Sequence, residues 1–211
     1  MKLALFGIGG MIGSRIAQEA LNRGHQITAI VRDPNRIPLS HEHLTAVIGD
    51  ILNPESVASI VAGHDAVLSA VGPGKGQDPQ MLVQVARSLV EGLQRAGVRR
   101  LVMIGGAGTL EIKPGLQLVN APNFPAAYLP LARAHRDALN VYRASNLDWT
   151  SISPARDIEP GTRTGKFRTS TDQLLTDEMG ESRISAEDYA VAFIDEIEKP
   201  KSIRKRIGVA Y

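Results

Sequence analysis

Short apolar runs of strand length alternate along this chain with longer segments whose apolar residues recur at helical spacing. Regular alternation of this kind is typical of βαβ units, which build a parallel sheet covered by helices on both faces. The predicted strands are Lys2–Phe6, Gln26–Val31, Thr45–Ile48, Ala66–Ala70, Arg100–Ile104, Trp149–Ser153 and Ile207–Ala210. The predicted helices are Met11–Arg23, Pro54–Val61, Pro79–Ala96, Tyr128–Ala144 and Ala186–Ile197. We therefore expect one α/β domain over residues 1–211, with a Rossmann-type, doubly wound and mostly parallel sheet.

Two long irregular stretches, residues 105–127 and 154–183, interrupt this pattern and are rich in proline and glycine. Each follows a predicted strand, so both should lie at the carboxyl edge of the sheet, where open α/β folds bind their ligands. Loops of this length in a compact domain usually serve a function. The pattern thus places the functional site at this edge.

The turn after the first strand is unusually rich in glycine and opens the first helix. It reads GxxGxxG through Gly7, Gly10 and Gly13. Such glycines allow a sharp turn, a close approach of the backbone to a pyrophosphate, and tight packing of helix on strand. The helix N-terminus then offers free N–H groups to the phosphates. The cofactor-binding residues predicted in this turn are Gly7, Gly9, Gly10, Met11, Ile12 and Gly13.

The residue that ends the second strand separates NAD from NADP, because a carboxylate there binds the ribose 2′-hydroxyl whereas an arginine accommodates a 2′-phosphate. Arg32 occupies this position, and Arg36 and Arg15 are candidates for further contacts with the phosphate. We therefore predict that NADPH is preferred. Asp33 keeps NAD possible, and the alternative is an exposed turn whose arginines are solvated.

Further cofactor contacts are predicted where the other parallel strands end. Asp50 is placed to reach the adenine, and the residues after the fourth strand are placed to pass beneath the cofactor. For Asp50 and for residues 70–72, the alternative is an ordinary turn at a strand end. The residues concerned are Asp50, Ile51, Ala70, Val71, Gly72, Gly105 and Pro154.

Composition narrows the class of protein further. The 24 basic and 22 acidic residues nearly cancel, to a formal net charge of +2, so no global basic field favours nucleic acid as a partner. The chain has no cysteine, which excludes disulfides and thiolate metal sites, and its histidines show no metal-ligand spacing. The apolar start is too short for a signal sequence or membrane span. We expect a cytoplasmic protein that binds small molecules.

Several segments together resemble the NmrA-like group of atypical short-chain dehydrogenases/reductases. More narrowly, the chain is similar to the NADH-flavin reductase family and to biliverdin-IXβ reductase. The resemblance covers nearly the whole chain, and it implies an NAD(P)H-binding fold and reduction of flavins or other flat acceptors. The segments that carry it are residues 7–13, 31–33, 49–50, 147–150, 153–154, 160–165, 182–185 and 188–190.

The chain departs from ordinary short-chain dehydrogenases in its acid–base residues. Those enzymes use a Tyr-xxx-Lys pair, in which lysine lowers the tyrosine pKa. Here Ala132 follows Tyr128 at that spacing, and Tyr142 and Tyr189 also lack the lysine. Alcohol dehydrogenase chemistry is therefore not expected. Hydride transfer to a flavin or quinone asks mainly for stacking and exclusion of water.

His135 is the candidate catalytic residue. It shares one helical face with Leu131, Leu139 and Tyr142, and that face should turn inward. The resemblance matches this position to a histidine of the substrate pocket, whereas the alternative is a core histidine with a satisfied hydrogen bond. The predicted function is an NAD(P)H-dependent reductase. A catalytically weak NADP(H)-binding sensor is the alternative, and an isomerase or epimerase would need an acid–base pair.

Overall fold

The apolar runs form one central sheet in the computed structural model, which describes residues 1–74 and 76–211, with the backbone alone at Arg36. Its eight strands within those residues are β1 (Lys2–Phe6), β2 (Gln26–Val31), β3 (Leu44–Ile48), β4 (Ala66–Ser69), β5 (Arg100–Ile104), β8 (Asp148–Ser153), β10 (Arg168–Ser170) and β12 (Lys205–Ala210). They are ordered β10-β12-β8-β5-β4-β1-β2-β3. All neighbours are parallel except β10, which runs antiparallel to β12.

Five helices cover the two faces of this sheet within the described residues. They are α1 (Met11–Asn22), α2 (Pro54–Val61), α3 (Met81–Ala96), α4 (Leu129–Arg143) and α5 (Ala186–Glu198). One apolar cluster joins α1 and α5 to one face, and a second joins α2, α3 and α4 to the other. The side chains of each strand alternate between these clusters, so Leu68 and Val67 face opposite layers. The predicted doubly wound sheet is confirmed.

Local hydrogen bonds set several helix ends. The side chain of Asn53 accepts bonds from the N–H groups of Glu55 and Ser56, and Gly97 ends α3 in the left-handed region at φ 71°. The predicted start of α3 at Pro79 is two residues early. Asp78 accepts a bond from the Gln80 N–H instead, which makes a turn before the helix.

The two irregular stretches contain short strands that the sequence pattern did not predict. One of them is β10, which belongs to the central sheet. The others are β6 (Glu111–Lys113), β7 (Leu116–Gln117), β9 (Asp157–Glu159) and β11 (Arg183–Ser185). β6 pairs with β7, and β9 pairs with β11. Strands of two or three residues are too short for a recognisable alternation of apolar and polar positions. Their partners, rather than their own sequences, determine them.

Within residues 1–74 and 76–211, no helix is both long enough and apolar enough to cross a membrane.

Candidate functional site

The strand order places the glycine-rich turn where ligands bind in open α/β sheets. From β1 the chain continues outward through β2 and β3, and then crosses to β4 on the other side of β1. This reversal opens a crevice at the carboxyl ends of β1 and β4. Gly7 and Ala70 follow these two strand ends directly. The two segments that were predicted to flank the cofactor are therefore brought together.

Two glycines of this turn are required by close backbone approaches. Gly7 has φ +91°, and a Cβ added to it would lie 2.6 Å from the carbonyl oxygen of Ala70. A Cβ added to Gly13 would lie 2.0 Å from the carbonyl oxygen of Gly7. A side chain at either position would collide with backbone. The glycines thus allow α1 and the end of β4 to pack closely against the turn.

The N-terminus of α1 retains free N–H donors. Gly10 precedes the helix and supplies no side-chain cap, and the first turn contains no acidic residue. The N–H groups of Met11, Ile12 and Gly13 have no acceptor within an α-helix. Together with the helix dipole, these donors suit a pyrophosphate. Gly9 and Met11 are exposed beside them.

The end of β2 presents Arg32 to solvent. The Arg32 side chain forms no hydrogen bond or ion pair with residues 1–74 and 76–211. The carboxylate of Asp33 accepts bonds from the backbone and side-chain nitrogens of Asn35, at 3.0 and 3.1 Å, and so caps the short turn Pro34–Arg36. Of these two, Arg32 is the more available to a ligand. The side chain of Arg36 lies outside the described part, so its predicted contact stays a prediction.

Arg15 is committed to a partner on α5. Its Nε donates to Glu187 Oε1 at 3.1 Å, and the other oxygen of Glu187 accepts from the Gly161 N–H at 2.7 Å. The pair thereby joins α1, α5 and the loop after β8. Nη1 donates to the Met11 carbonyl and to Ser14 Oγ, whereas Nη2 donates to no group in residues 1–74 and 76–211. The contact between Arg15 and a 2′-phosphate stays a prediction.

The remaining predicted residues lie along the same edge of the sheet. Asp50 is exposed, and its carboxylate accepts a bond from the Leu52 N–H at 2.9 Å, in a turn that also partly buries Ile51. Gly49 donates to the Val31 carbonyl, which holds this turn beside the end of β2. The contact of Asp50 with adenine stays a prediction. The other members along this edge are Val71, Gly72, Gly105 and Pro154.

Gly105 marks a close approach between β5 and β8. A Cβ added here would lie 2.7 Å from Ser151 Oγ and 2.8 Å from Ser153 Oγ. The hydroxyls of these two serines thus point toward the end of β5. Pro154, partly buried, continues β8 into the long loop.

His135 lies on α4 against the end of β5, partly exposed. A Cβ added to Gly106 would come within 2.9 Å of the His135 Cβ and Cγ atoms, so the histidine packs directly on this turn. His135 and Val71 line one small cavity, while Val71 follows the Ala70 segment that contacts Gly7. Burial lowers the pKa of His135 to about 4, so the imidazole is neutral at pH 7.

The buried tyrosines do not form an acid–base pair. Burial raises the pKa values of both Tyr142 and Tyr189. The Tyr189 hydroxyl donates to the Ile152 carbonyl at 2.5 Å, and so acts as a link between α5 and β8. Neither tyrosine has a lysine at the required spacing. Within residues 1–74 and 76–211, the site thus contains a neutral histidine and hydroxyl groups, but no tyrosine that is hydrogen-bonded to a lysine.

Family comparison matches this chain from residue 7 to residue 200 with a family described as NAD(P)H-binding. The chain belongs to this NAD(P)H-binding family. Its fold and its glycine-rich turn are those of an atypical, NmrA-like short-chain dehydrogenase/reductase, within an oxidoreductase family that binds nicotinamide cofactors. The resemblance drawn from the sequence is thereby confirmed at the level of the family.

Three solved structures show how far the likeness of this family member extends. A Burkholderia pseudomallei protein described as exported is 51% identical, with a TM-score of 0.92 and 100% of both chains covered. A Bacteroides thetaiotaomicron protein described as an epimerase is 38% identical, with a TM-score of 0.91, over 100% of this chain and 96% of the other. A Streptococcus pneumoniae protein described as an NADH-flavin reductase is 34% identical, with a TM-score of 0.88, over 100% and 99%.

The polar groups on the inner face of this candidate site were not predicted from the sequence. Ser151 and Ser153 alternate with Ile152 along β8, and they face the apolar layer that contains Trp149. Hydroxyls on the buried face of a strand are a recognisable signal, since buried polar groups need hydrogen-bond partners. Glu187, the partner of Arg15, gave no such signal.

Proposed function

We propose that this protein is an NAD(P)H-dependent reductase that transfers a hydride to a flat, electron-poor acceptor such as a flavin or quinone. One observation carries the proposal. Val71 contacts the glycine-rich turn that suits the cofactor pyrophosphate, and it lines one cavity with the neutral His135 at the same edge of the sheet. The chain has no Tyr-xxx-Lys pair. The similar Streptococcus pneumoniae protein, described as an NADH-flavin reductase, supports the choice of acceptor.

The residues present fit a nicotinamide dinucleotide. When bound, this cofactor supplies the hydride. The free N–H groups at the start of α1 would hold its pyrophosphate, and the backbone from Ala70 to Gly72 would pass beneath it. Arg32 supports a preference for NADPH, because its guanidinium has no ion pair with the described part of the chain and can bind a 2′-phosphate.

His135 would act on the acceptor as a neutral hydrogen-bond donor. Hydride arrival places negative charge on a heteroatom of the flavin or quinone, and an imidazole N–H stabilises that charge. Solvent supplies the proton that completes the reduced acceptor. Each turnover therefore consumes one NADPH and one proton and leaves His135 neutral. A flavin or quinone accepts this chemistry because it is already electron-poor.

The missing acid–base pair also favours a second candidate, an NADP(H)-binding sensor without substantial catalysis. It argues less well for an epimerase, despite the description of the similar Bacteroides thetaiotaomicron protein. An epimerase must remove and return a proton at carbon, which requires a matched acid and base. A neutral histidine with a pKa lowered to about 4 and buried tyrosines with raised pKa values are poorly suited to this.

Steady-state oxidation of NADPH against a panel of flavins, quinones and tetrapyrroles tests the proposal. We expect the purified protein to carry no tightly bound flavin, and to reduce at least one acceptor. His135→Ala should lower acceptor turnover modestly and leave the NADPH dissociation constant unchanged. If NADPH binds but no member of the panel is reduced, the sensor replaces the reductase. If His135→Ala retains full turnover with every acceptor and loses only thermal stability, His135 is a core residue.

A further inference from the structure

Three hydroxyl groups lie in the apolar layer between the sheet and helices α3 and α4. They belong to Ser69 at the end of β4, Ser151 on β8 and Tyr142 on α4, whose residues are only 3%, 3% and 5% exposed. None of these hydroxyls bonds to any group in residues 1–74 and 76–211. Burying an unpaired hydroxyl costs about 1–3 kcal/mol, so their shared location calls for a physical reason.

All three residues line one cavity at the sheet edge, together with His135. Its volume is about 20 Å³, and its other walls are largely apolar, with Leu82, Met103 and Leu139 among them. A cavity of roughly 10–15 Å³ on this measure already holds one water molecule, which needs two to four polar partners. This cavity has room for one water and is lined by four polar side chains. A flavin or a nicotinamide is far too large for it.

The hydroxyl oxygens of Ser69, Ser151 and Tyr142 remain accessible to a molecule the size of water. Among the described residues, the fully shielded side-chain atoms that lack a hydrogen bond belong to Ser88, Ser153, Arg100 and Arg206. The oxygens of Ser69, Ser151 and Tyr142 are not in this group, although these residues are equally buried. Unlike the Ser88 hydroxyl, which lies outside the cavity wall, they can reach a water within it.

The imidazole of His135 completes the set. It forms no hydrogen bond with the described part of the chain, while its position is fixed by packing against Gly106. A neutral imidazole has one N–H donor and one nitrogen acceptor. The hydrogen bond made by one nitrogen therefore decides whether the other nitrogen carries the proton. A water that donates to the ring nitrogen on the cavity side would therefore leave the N–H on the opposite nitrogen.

We propose that the Ser69, Ser151 and Tyr142 hydroxyls bind one structural water, which holds His135 in the tautomer whose N–H faces the acceptor. Tyr142 is thus a positioning residue, and it acts on the acceptor only through the water and the histidine. The catalytic consequence rests on the proposed reductase function, whereas the water site and the tautomer do not. Burial, which keeps the imidazole neutral at pH 7, is consistent with this role.

Tyr142→Phe tests the proposal because it removes one hydroxyl and keeps the ring that fills the core. We expect the ¹⁵N NMR signals of the His135 ring to move from a single tautomer toward a mixture. Acceptor kcat/KM should fall by about 2- to 12-fold, the loss expected for one hydrogen bond, while NADPH affinity stays unchanged. Ser151→Ala should change both readouts in the same direction. It also replaces Tyr142→Phe as the test if the latter does not fold.

Ser88→Ala is the matched control, since it deletes a buried, unpaired hydroxyl that does not line the cavity. We expect it to leave the His135 signals and the turnover unchanged. The proposal is overturned if Tyr142→Phe and Ser151→Ala leave the ring signals as in the wild type, or if a high-resolution crystal structure shows a dry cavity. If the variants move the signals but the wild type reduces no acceptor, the water site stands and the reductase function fails.

Discussion

At the scale of single residues, Arg32 and Asp33 at the end of β2 differ in whether the side chain is already used within the fold. Asp33 uses its carboxylate to cap the turn that follows it, whereas Arg32 is exposed and has no ion pair with residues 1–74 and 76–211. Capping already occupies the group that would bind a ribose hydroxyl. Arg32 is thus more available than Asp33, which favours binding of a 2′-phosphate over a ribose hydroxyl at this position.

Arg32→Gln should therefore weaken NADPH binding selectively. The expected loss is about 1.5–3 kcal/mol, the contribution of hydrogen bonds to charged groups, and NADH affinity should change little. Fluorescence titration with both cofactors measures the effect. Arg143→Gln removes the same charge from the exposed far end of α4 and should leave both affinities unchanged. Equal affinity of the wild type for the two cofactors would contradict the assignment of Arg32.

His135 should also leave a signature in the pH dependence of stability. Its pKa is lowered from 6.5 to about 4, so between these values the unfolded chain binds a proton that the folded chain does not. Stability therefore falls as the pH falls through this window, and the contribution is fully present above about 6.5. Carboxylates with lowered pKa values, such as Glu19 and Asp188, lose their contribution only at lower pH, below their ordinary values.

Protonation of His135 should cost the wild type about 2 kcal/mol of its free energy of unfolding between roughly pH 7.5 and pH 5. We expect His135→Gln not to show this part of the loss. Urea unfolding at the two pH values measures the difference. His43→Gln replaces an exposed histidine and should keep the slope of the wild type. A wild-type slope in His135→Gln would mean that solvent reaches the imidazole freely.

At the scale of elements, the contact between β1 and α1 depends on the absence of two side chains. Gly13 is buried in the first turns of α1, and its Cα faces the Gly7 carbonyl. Gly10, one turn earlier, has only an ordinary contact, because a Cβ added there would lie 3.5 Å from the same oxygen. The two glycines therefore differ in what they do for the fold.

Gly13→Ala should destabilise the protein without cofactor by about 3 kcal/mol or more, since a methyl group cannot be placed 2.0 Å from a backbone oxygen without moving the helix. Gly10→Ala, the matched control, should cost about 1 kcal/mol or less. Chemical unfolding in the absence of NADPH separates the two. Similar stability of both variants would show that α1 shifts to accommodate the methyl group.

At the scale of the whole molecule, a buried arginine on β12 joins the two long loops. Arg206 Nη1 donates to the carbonyl and the hydroxyl oxygen of Thr109, at 2.8 and 2.9 Å, and Nη2 donates to the carboxylate of Asp172. Thr109 belongs to the first irregular stretch, residues 105–127, and Asp172 follows β10 in the second, residues 154–183. Both loops border the edge of the sheet that contains the site.

Arg206→Met should loosen both loops together. We expect hydrogen exchange to accelerate by about tenfold or more in segments 110–120 and 169–174, because charged hydrogen bonds of about 1.5–3 kcal/mol are lost. Exchange in β1 should change far less. Lys205→Met, which alters an exposed neighbour on the same strand, is the control. Acceleration in only one loop would show that the arginine does not couple them.

The sequence by itself determined the layers of the fold and the position of the glycine-rich turn. Strand and helix periods and the glycine spacing of residues 7–13 are local properties, and each needs only residues that are near in the chain. The family resemblance rested on the same kind of short segments. Seven of the eight described strands of the central sheet and the five described helices were accordingly predicted with errors of a few residues at their ends, whereas β10 was missed.

Only the tertiary structure decided which side chains are already engaged. Arg15 pairs with a residue 172 positions away, and the short strands in the loops exist through partners elsewhere. His135 could be placed on an inward face. That its imidazole has no partner in residues 1–74 and 76–211, and that three hydroxyls surround one cavity with it, depends on two strands and a helix that meet only in the folded chain. Hydrogen bonding and burial belong to pairs of residues, and a linear pattern does not contain those pairs.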